Sequence, residues 1–403
     1  MKNVIVKELK KHIPQNTWEF LKAHKVMLVG GAITSILTKK EINDFDIYFK
    51  DRDSFVMALL DIRGLKDNLD VDEYPDDIDI NFQHLDSFDF LYLCHTEKSV
   101  TFKSKYSEPT FQFIHQNFYQ TVEDVFEDFD FTINMVGYDF ELDEIVTHPD
   151  TMLHLSQRIL VTNSGTKYPL ISVLRTNKYQ ERGYTISKKE MIKLLLAVSK
   201  LEFHSYEDVG KHIGGMYGKL NISEVFDTSR EFGVDEVLRQ LSEVDFGDLS
   251  SIETDLKNYN FDNALLEIIT GEHYNALPYT KFVHLINDEL CSSYDRSYKY
   301  VVGEVHYPKL NQASSSSNIL YGDNEGIYCA KGYSDTCYGG VFLEMQPLNP
   351  KENVLGETMF GYKEGVLLKQ ILPFKTKNEY YTWLEEEKGF PSDVVKYLKL
   401  FEL

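Results

Sequence analysis

Two glycines followed at a short distance by two aspartates constrain this chain more than any other feature. Gly30 and Gly31 follow the apolar run Val26 to Val29, and after twelve further residues Asp44 and Asp46 flank a single phenylalanine. Successive side chains of a strand point to opposite faces, so the two aspartates share one face. Paired carboxylates can hold divalent cations beside a phosphate chain, and glycines let backbone N–H groups approach the phosphates. The sequence therefore predicts a strand, a phosphate-binding turn and an acidic strand.

Composition favours a folded chain with more than one core. The chain has 403 residues, of which 42% are hydrophobic and 13% aromatic, which is enough for two or three domains. No apolar run approaches the length that crosses a bilayer, and the residues after Met1 lack a signal-peptide core. We therefore expect a cytoplasmic protein with no membrane partner.

The charge balance bears on the class of partner. The formal net charge is −22, whereas a protein that grips a polynucleotide normally needs a basic track. A large nucleic acid is thus disfavoured as partner. The stretch Asp67 to Asp89 holds nine acidic residues and no Lys or Arg. It is interpreted as a solvated acidic loop, with an additional metal site as the alternative.

The first 150 residues have the pattern of a mixed sheet with helices. Ser54 to Leu60 predicts a helix, and Thr121 is a candidate N-cap for another. Strands are predicted at three apolar or aromatic runs, Phe90 to Leu93, Ser99 to Phe102 and Thr110 to Ile114. This region is predicted to form the first domain, 1–150.

Helical spacing of apolar residues dominates from Thr151 onward. Later helices are predicted over Val234 to Val244, Asn263 to Ile269 and Tyr279 to Leu290, and short β-like pieces follow. The last residues, 378–403, predict two amphipathic helices. We expect an α+β fold in which a helical neck or body, 151–292, follows the mixed sheet. A small β-rich C-terminal domain with terminal helices, 293–403, completes the chain.

A second block of residues accompanies the first. Two small residues, a spacer and an Asp–hydrophobic–Asp strand resemble the signature of the DNA polymerase β-like nucleotidyltransferase superfamily. Asp130 to Asn134 resembles part of the Arg-Arg-Asp-Phe-Thr-Ile-Asn block of CCA-adding enzymes and bacterial poly(A) polymerases. The resemblance implies a nucleotidyltransferase-type head, with Asp130 as the third acid beside Asp44 and Asp46. A role as a backbone cap is the alternative for Asp130.

The same block departs from the family in a defined way. Asp128 and Phe129 stand where the family has two arginines, which there help to hold the incoming nucleotide. This departure resembles the divergent nucleotidyltransferase-like proteins of large viruses and phages. In those proteins an aliphatic strand with Gln and a Phe-Asp pair recur, which implies a role for Gln112 beside Asp130.

A basic helix follows in the order that the family shows. The segment from Tyr168 to Ile186 resembles the Pro-Leu-Arg-…-Leu-Arg-…-Arg-Phe-…-Gly-Phe helix of CCA-adding enzymes. On a helix Arg175, Lys178 and Arg182 share one face, and three cations there would attract a triphosphate. The alternative is a solvated basic face.

Together these features predict a metal-dependent nucleotidyltransferase. Asp44, Asp46 and Asp130 would be the catalytic acids and the ligands of Mg²⁺ or Mn²⁺. Nucleotide binding is assigned to the other candidate residues, Gly30, Gly31, Thr34, Ser35, Gln112, Arg175, Lys178 and Arg182. The donor would be an NTP, ATP by family habit, and the acceptor hydroxyl would belong to a protein, a small molecule or RNA.

Two other functions remain open from the sequence. The chain could keep the nucleotidyltransferase fold with reduced catalysis and act as a nucleotide- or partner-binding module. A minor alternative is an ADP-ribosyltransferase-like C-terminal domain, from the faint likeness of Gly326 to Ala330 to a strand of that family. Its conceivable partners are His306, Tyr307 and Glu364, together with Tyr328 of the strand itself.

Overall fold

The computed structural model describes most of the first half of the chain and separate parts of the second. The described residues are 2–64, 84–85, 90–104, 107–163, 166–213, 226–242, 261–277, 279–287, 289–292, 297–306, 329–331, 340–347, 359–360, 366–372 and 377–401. These residues divide into two compact units, Met1–Lys257 and Asn258–Leu403, within the ranges just given. The acidic stretch Asp67 to Asp89 lies almost entirely outside the described residues.

The first unit begins with helices and strands in alternation. Its first elements are α1 (Lys2–His12), α2 (Gln15–Ala23), β1 (Met27–Val29), α3 (Gly31–Thr38), β2 (Asp44–Tyr48) and α4 (Arg52–Gly64). Next come β3 (His84–Leu85), β4 (Phe90–His95), β5 (Ser99–Ser104), β6 (Ser107–Ile114), α5 (Val122–Phe126), β7 (Val136–Asp139) and β8 (Glu144–Thr147). A short 3-10 turn, Thr132–Asn134, precedes β7. The strands and helices predicted for this region are confirmed.

The strands form one mixed sheet in the order β3-β4-β5-β6-β2-β1-β7-β8. β2 runs parallel to β6, and the other neighbouring strands run antiparallel. On β2, Phe45 and Ile47 are fully buried, whereas Asp44 and Asp46 are partly exposed. The alternation expected from the sequence is therefore confirmed, and it turns both aspartates away from the core.

Aromatic side chains fill much of the core behind this sheet. Phe90 lies edge-on to Phe111, with 5.3 Å between ring centroids, and Phe102 lies 5.1 Å from Phe113. Large rings bury much apolar area and hold neighbouring strands in register. α5 follows β6 after a short connection, and Thr121 is its N-cap, as predicted: the Thr121 hydroxyl accepts from the Asp124 N–H in a capping box. This core gives β2 a rigid support.

Helices follow the sheet within the first unit. They are α6 (Thr151–Gln157), α7 (Pro169–Glu181), α8 (Lys188–Val198), α9 (Tyr206–Ile213) and α10 (Val234–Leu241), with the short parallel pair β9 (Ile159–Leu160) and β10 (Thr185–Ile186). Tyr179 of α7 and Leu194 of α8 pack in one cluster with Phe131 and Ile133. This cluster fixes α7 against the 3-10 turn. In the part of the chain that the structure describes, no helix has the length and apolar character needed to span a bilayer.

The second unit is built around another sheet. Its elements are α11 (Phe261–Thr270), β11 (Tyr279–Ile286), β12 (Glu289–Ser292), β13 (Lys299–Tyr300), β14 (Val305–His306), β15 (Cys329–Lys331), β16 (Gly340–Pro347), β17 (Met359–Phe360), β18 (Val366–Leu372), α12 (Lys377–Glu386) and α13 (Ser392–Phe401). The sheet has the order β13-β12-β11-β16-β18-β14, and β15 pairs with β11 and β17. The two predicted terminal helices are present, and the α+β class is confirmed.

One predicted helix is wrong. Tyr279 to Leu290 forms β11 and the start of β12, which pair antiparallel, for example at Leu285 and Leu290. On a strand, one face carries Tyr279, Lys281, Val283 and Leu285, and the other face carries the residues between them. The β-branched and aromatic residues of this run favour strands. A short apolar run fits either period, and pairing with β16 decides for the strand. The domain boundaries at 150 and 292 stay predictions.

Candidate functional site

The two aspartates of β2 lie where the central strands carry polar side chains on one face. Asp46 is directly opposite Gln112 in the parallel pairing of β2 with β6, so the predicted Gln112 shares its face. The Oδ1 atom of Asp46 is buried and has no hydrogen-bond partner. A buried carboxylate oxygen without a partner costs free energy unless a cation or a donor reaches it. This unsatisfied oxygen distinguishes Asp46 from an ordinary surface acid.

The first glycine joins the two halves of the motif in space. Gly30 has a φ of 105°, in the region that favours glycine, and its N–H donates to the Val136 carbonyl over 2.8 Å. A Cβ at this position would lie 3.2 Å from the ring of Phe129 and 3.7 Å from Oδ2 of Asp46. The turn after β1 therefore passes immediately beside the second aspartate.

Gly31 has a different environment. It is exposed, it is the first residue of α3, and a Cβ there would meet no atom within 4 Å. The first N–H groups of a helix have no partner within the helix, and they favour anions. Gly31 is thus open to solvent beside the Gly30 turn.

Thr34 and Ser35 are buried one turn into α3. The Thr34 hydroxyl donates to the Ile133 carbonyl over 2.9 Å, and the Ser35 carbonyl accepts from the Lys40 N–H over 2.8 Å. A hydroxyl has one proton, so the predicted phosphate contact of Thr34 would require release of Ile133. In the structure Thr34 ties α3 to the 3-10 turn.

Asp130 lies just before the 3-10 turn and is engaged by α7. It is 5% exposed, and its Oδ2 atom lies 2.9 Å from Nη1 of Arg175, an ion pair without the alignment of a hydrogen bond. Burial raises its pKa, and the positive charge of Arg175 opposes this. Across the described ranges, no group of three His, Cys, Asp or Glu side chains is close enough to hold a metal ion. Asp44, Asp46 and Asp130 therefore do not form a ready-made triad.

The cations of α7 act on the two aspartates of β2. Burial raises the pKa of Asp44, and the positive charges of Lys178, Arg175 and Arg182 oppose this. The pKa of Asp46 is raised well above its usual range by burial and by the neighbouring Asp44 charge. Although the Lys178 residue is largely exposed, partial burial of its ammonium group and the two arginines lower its pKa. The predicted cations of α7 and the predicted acids of β2 thus interact electrostatically.

The positions that lack the family's arginines have clear structural roles. Asp128 accepts hydrogen bonds from Lys167 over 2.7 Å, from Asn117 over 3.1 Å and from the Tyr119 hydroxyl. Phe129 is buried in an apolar cluster. Its other members are Met27, Val29, Tyr48, Ile114, Val122, Val125, Phe126 and Met135. Both side chains are thus engaged in contacts within the fold.

Sequence reasoning missed two polar residues beside Asp130. The Tyr179 hydroxyl accepts from Nη2 of Arg175 over 3.1 Å and from the side-chain amide of Asn134 over 2.6 Å. Asn134 was matched to the family block without a role, and Tyr179 follows Arg175 by one helical turn. That spacing is the signal that could have paired Tyr179 with Arg175.

The residues named for the C-terminal alternative are only partly described. Tyr307, Tyr328 and Glu364 lie outside the described residues. His306 is buried, and its ring nitrogens contact the Tyr298 hydroxyl at 3.1 Å and the Val301 backbone. These contacts give His306 a structural role in the second unit.

Comparison with known proteins gives matches of two kinds. Residues 1–158 match the Gabija anti-defense 2 family protein model. A protein named Gabija anti-defense 2, from Bacillus phage SPbetaL7, is 28% identical over 372 residues, which cover 81% of this chain and 85% of the relative. The expected similarity to phage proteins is thereby supported.

The similar solved structures include CCA-adding enzymes. The Thermotoga maritima CCA-adding enzyme complexed with tRNA has 14% identity and a TM-score of 0.36, over 66% of this chain and 55% of that one. A CCA-adding enzyme in complex with ATP has 14% identity and a TM-score of 0.35, over 66% of this chain and 58% of that one. The chain therefore spans less than two thirds of the length of these structures.

Proposed function

We propose that this chain is a nucleotidyltransferase that moves a nucleoside monophosphate from an NTP to an acceptor hydroxyl. The observation that carries the proposal is the pair Asp44 and Asp46 beside the Gly30 turn, with an unsatisfied Asp46 oxygen and cations of α7 that interact electrostatically with both acids. A purely structural pair of acids would be hydrogen-bonded or exposed, because burial of an unpartnered carboxylate is costly. Sites that perform chemistry keep such groups.

The donor atoms fit a divalent cation. Mg²⁺ and Mn²⁺ prefer carboxylate oxygens, and Asp44 and Asp46 supply them from one face of one strand. The remaining ligands would come from the NTP phosphates and water, as is usual for Mg²⁺. When bound, the cation would lower the pKa of the acceptor hydroxyl and neutralise charge on the leaving pyrophosphate.

The chain's own residues would then bind and orient the substrates. The N–H groups at the start of α3, where Gly31 is exposed, would hold phosphate oxygens, and Lys178 and Arg182 would neutralise the triphosphate. Gln112, opposite Asp46, would contact the nucleotide or the acceptor. The acceptor oxygen forms a bond to the α-phosphorus while the bond between the α-phosphorus and pyrophosphate breaks. The hydroxyl proton passes to water.

The acceptor is proposed to be a protein or a small molecule. The net charge of −22 opposes the long backbone contacts that RNA requires. The name of the phage relative suggests action against the bacterial defence called Gabija. We infer that the chain acts in the cytoplasm of an infected cell, where NTPs are present, and modifies a component of that defence.

Transfer of label tests this function directly. Purified protein is incubated with each α-labelled NTP, Mg²⁺ or Mn²⁺, and lysate from cells that carry Gabija. Label on one protein band or small molecule is expected with wild type and is lost with Asp44→Asn and Asp46→Asn. Label that appears only in RNA would exclude a protein acceptor, and no metal-dependent label with any NTP would exclude the enzyme.

A binding function is the second candidate. It is favoured by Asp128 and Phe129, which occupy the places of the family's arginines, and by the pairing of Asp130 with Arg175. Phage infection of Gabija-carrying cells separates the two candidates. If Asp44→Asn, at equal protein level, no longer protects the phage from Gabija, catalysis is supported. If this variant still protects the phage fully, a binding module is supported.

A further inference from the structure

The environment of Asp130 differs from that of the two aspartates on β2. One Asp130 oxygen lies 2.9 Å from the Arg175 guanidinium, and only 6% of its side chain is exposed, compared with 32% for Arg175. The Tyr179 hydroxyl accepts from Arg175 and from Asn134. The side chain of Asn134 also lowers the pKa of Asp130, which favours the charged carboxylate. Asp130, Asn134 and Tyr179 therefore form a buried polar frame, in which Asp130 and Tyr179 contact the Arg175 guanidinium.

This frame competes with metal binding by Asp130. A divalent cation must approach a carboxylate oxygen to about 2.0–2.6 Å, and the guanidinium already lies against Oδ2. A second cation at that oxygen would be repelled by Arg175 in a region of low dielectric. The described residues also hold no group of three potential ligands at this site. The geometry is that of an ion pair, in contrast to the unsatisfied Oδ1 of Asp46.

The frame also fixes where the Arg175 charge lies. A guanidinium is planar with donors at fixed angles, so contacts to Asp130 and Tyr179 set its orientation. Arg175 contributes to the electrostatic environment of both Asp44 and Asp46. The charge of Arg175 is thus held in one orientation from which it acts on both aspartates.

We propose that Asp130 is a positioning residue that holds Arg175 over the Asp44 and Asp46 pair, and that it is not a metal ligand. In this arrangement Arg175, from α7, supplies the phosphate-binding arginine that positions 128 and 129 lack. The proposal rests on the proposed function for the identity of its ligand, an NTP. The buried ion pair of Asp130 and Arg175 is itself independent of that function.

Separate measurements of metal and nucleotide binding test this assignment. Mn²⁺ binding without nucleotide is measured by calorimetry, and binding of a non-hydrolysable ATP analogue is measured with and without Mn²⁺. Asp44→Asn is expected to weaken Mn²⁺ binding at least tenfold, and Asp130→Asn is expected to leave it within about twofold. Because each variant loses the close ion pair, Asp130→Asn and Arg175→Lys should each weaken binding of the ATP analogue by roughly tenfold or more. In the double variant the two losses should not add, because they disrupt one contact.

Glu190→Gln is the matched control for a buried acid. Glu190 lies on α8, is also buried, and pairs with Lys193 over 2.7 Å and with the Thr162 N–H over 2.9 Å. Its variant should leave both affinities unchanged. If Asp130→Asn does not fold, Arg175→Lys and Tyr179→Phe still report on nucleotide binding without touching a candidate ligand.

The outcomes separate this proposal from the proposed function. Mn²⁺ binding that falls as much in Asp130→Asn as in Asp44→Asn overturns the positioning role. Unchanged analogue affinity in Arg175→Lys overturns it as well. Absence of Mn²⁺ binding in wild type overturns the proposed metal chemistry, whereas the analogue measured without metal still tests the coupling of Asp130 and Arg175.

Discussion

The ring of Phe129 packs directly behind Gly30, so that a Cβ on this glycine would lie 3.2 Å from the aromatic carbon Cζ. Phe129 occupies a position at which the resembling family has an arginine. The ring packs against the turn between β1 and α3, and the Oδ2 atom of Asp46 lies beside the same glycine. The departure from the family is therefore coupled to the conformation of the predicted phosphate-binding turn.

Gly30→Ala should damage both stability and activity. The positive φ of 105° strains any residue with a Cβ, and the Phe129 ring must move. A loss of roughly 1–3 kcal/mol in the free energy of unfolding is expected. Denaturant unfolding of the purified variant measures it. A stability equal to wild type would contradict the described backbone at Gly30.

Gly31→Ala is the paired variant with the opposite expectation for stability. A Cβ added at this first residue of α3 would meet no atom within 4 Å, and alanine favours helices over glycine by about 1 kcal/mol or less. The free energy of unfolding should stay equal or rise, while nucleotide affinity falls because a methyl group enters the proposed phosphate site. Unchanged affinity for the ATP analogue would remove Gly31 from that site.

Phe129→Arg should fail to restore the family's arginine. Phe129 is 5% exposed in an apolar cluster, so a charge there would be buried without a partner. A loss of roughly 3–5 kcal/mol in the free energy of unfolding is expected. Phe129→Leu keeps the site apolar and should lose clearly less. Chemical denaturation of both variants decides, and a stable Phe129→Arg protein would contradict the described packing.

Asp46→Asn should stabilise the fold at neutral pH. The folded pKa of Asp46 lies well above the ordinary value of 3.8, so the folded state binds its proton more tightly than the unfolded state does. Stability therefore falls as pH rises from the unfolded pKa of Asp46 towards its folded pKa. Above the folded pKa the full cost of the Asp46 charge remains. Removal of that charge should raise the free energy of unfolding by about 1 kcal/mol and the melting temperature by about 2–4 °C.

A control for this variant is available on the surface. Asp150 is exposed and its side chain makes no capping hydrogen bond to α6. Asp150→Asn should leave the melting temperature unchanged. Equal melting temperatures of Asp46→Asn and wild type at neutral pH would argue against a destabilising charge at Asp46.

His115 should make stability depend on pH on the acidic side. Burial lowers the pKa of His115 from 6.5 to about 4. Its ring stacks on Phe55, and its Nε2 atom makes a hydrogen bond to the Thr96 carbonyl. Below pH 6.5 the unfolded state binds a proton that the folded state resists, so stability is lost as pH falls from 6.5 to about 4. The loss is up to about 3 kcal/mol.

The His115→Gln variant tests this titration. Its free energy of unfolding should vary less than that of wild type between pH 6.5 and 4, because glutamine does not titrate. The comparison is made by urea unfolding at a series of pH values. Parallel curves for the two proteins would assign the acid sensitivity to other groups.

The elements around the site could be predicted because their signals are local. Alternation of Asp44, Phe45 and Asp46 identified the strand and its polar face, and Thr121 marked the start of a helix. The error at β11 has the opposite origin. Its apolar residues fit two periods, and the choice depended on pairing with β16, which is distant in sequence.

The candidate residues were found from the sequence, whereas their partners were decided by the tertiary structure. Order and spacing along the chain brought Gly30, Asp44 and Asp46 into one hypothesis, because strand geometry and backbone freedom act over a few residues. The ion pair of Asp130 with Arg175 and the packing of Phe129 against Gly30 join segments that are far apart in sequence. Burial and electrostatics act across those contacts, so only the folded chain determines which acid is left unsatisfied and which is paired.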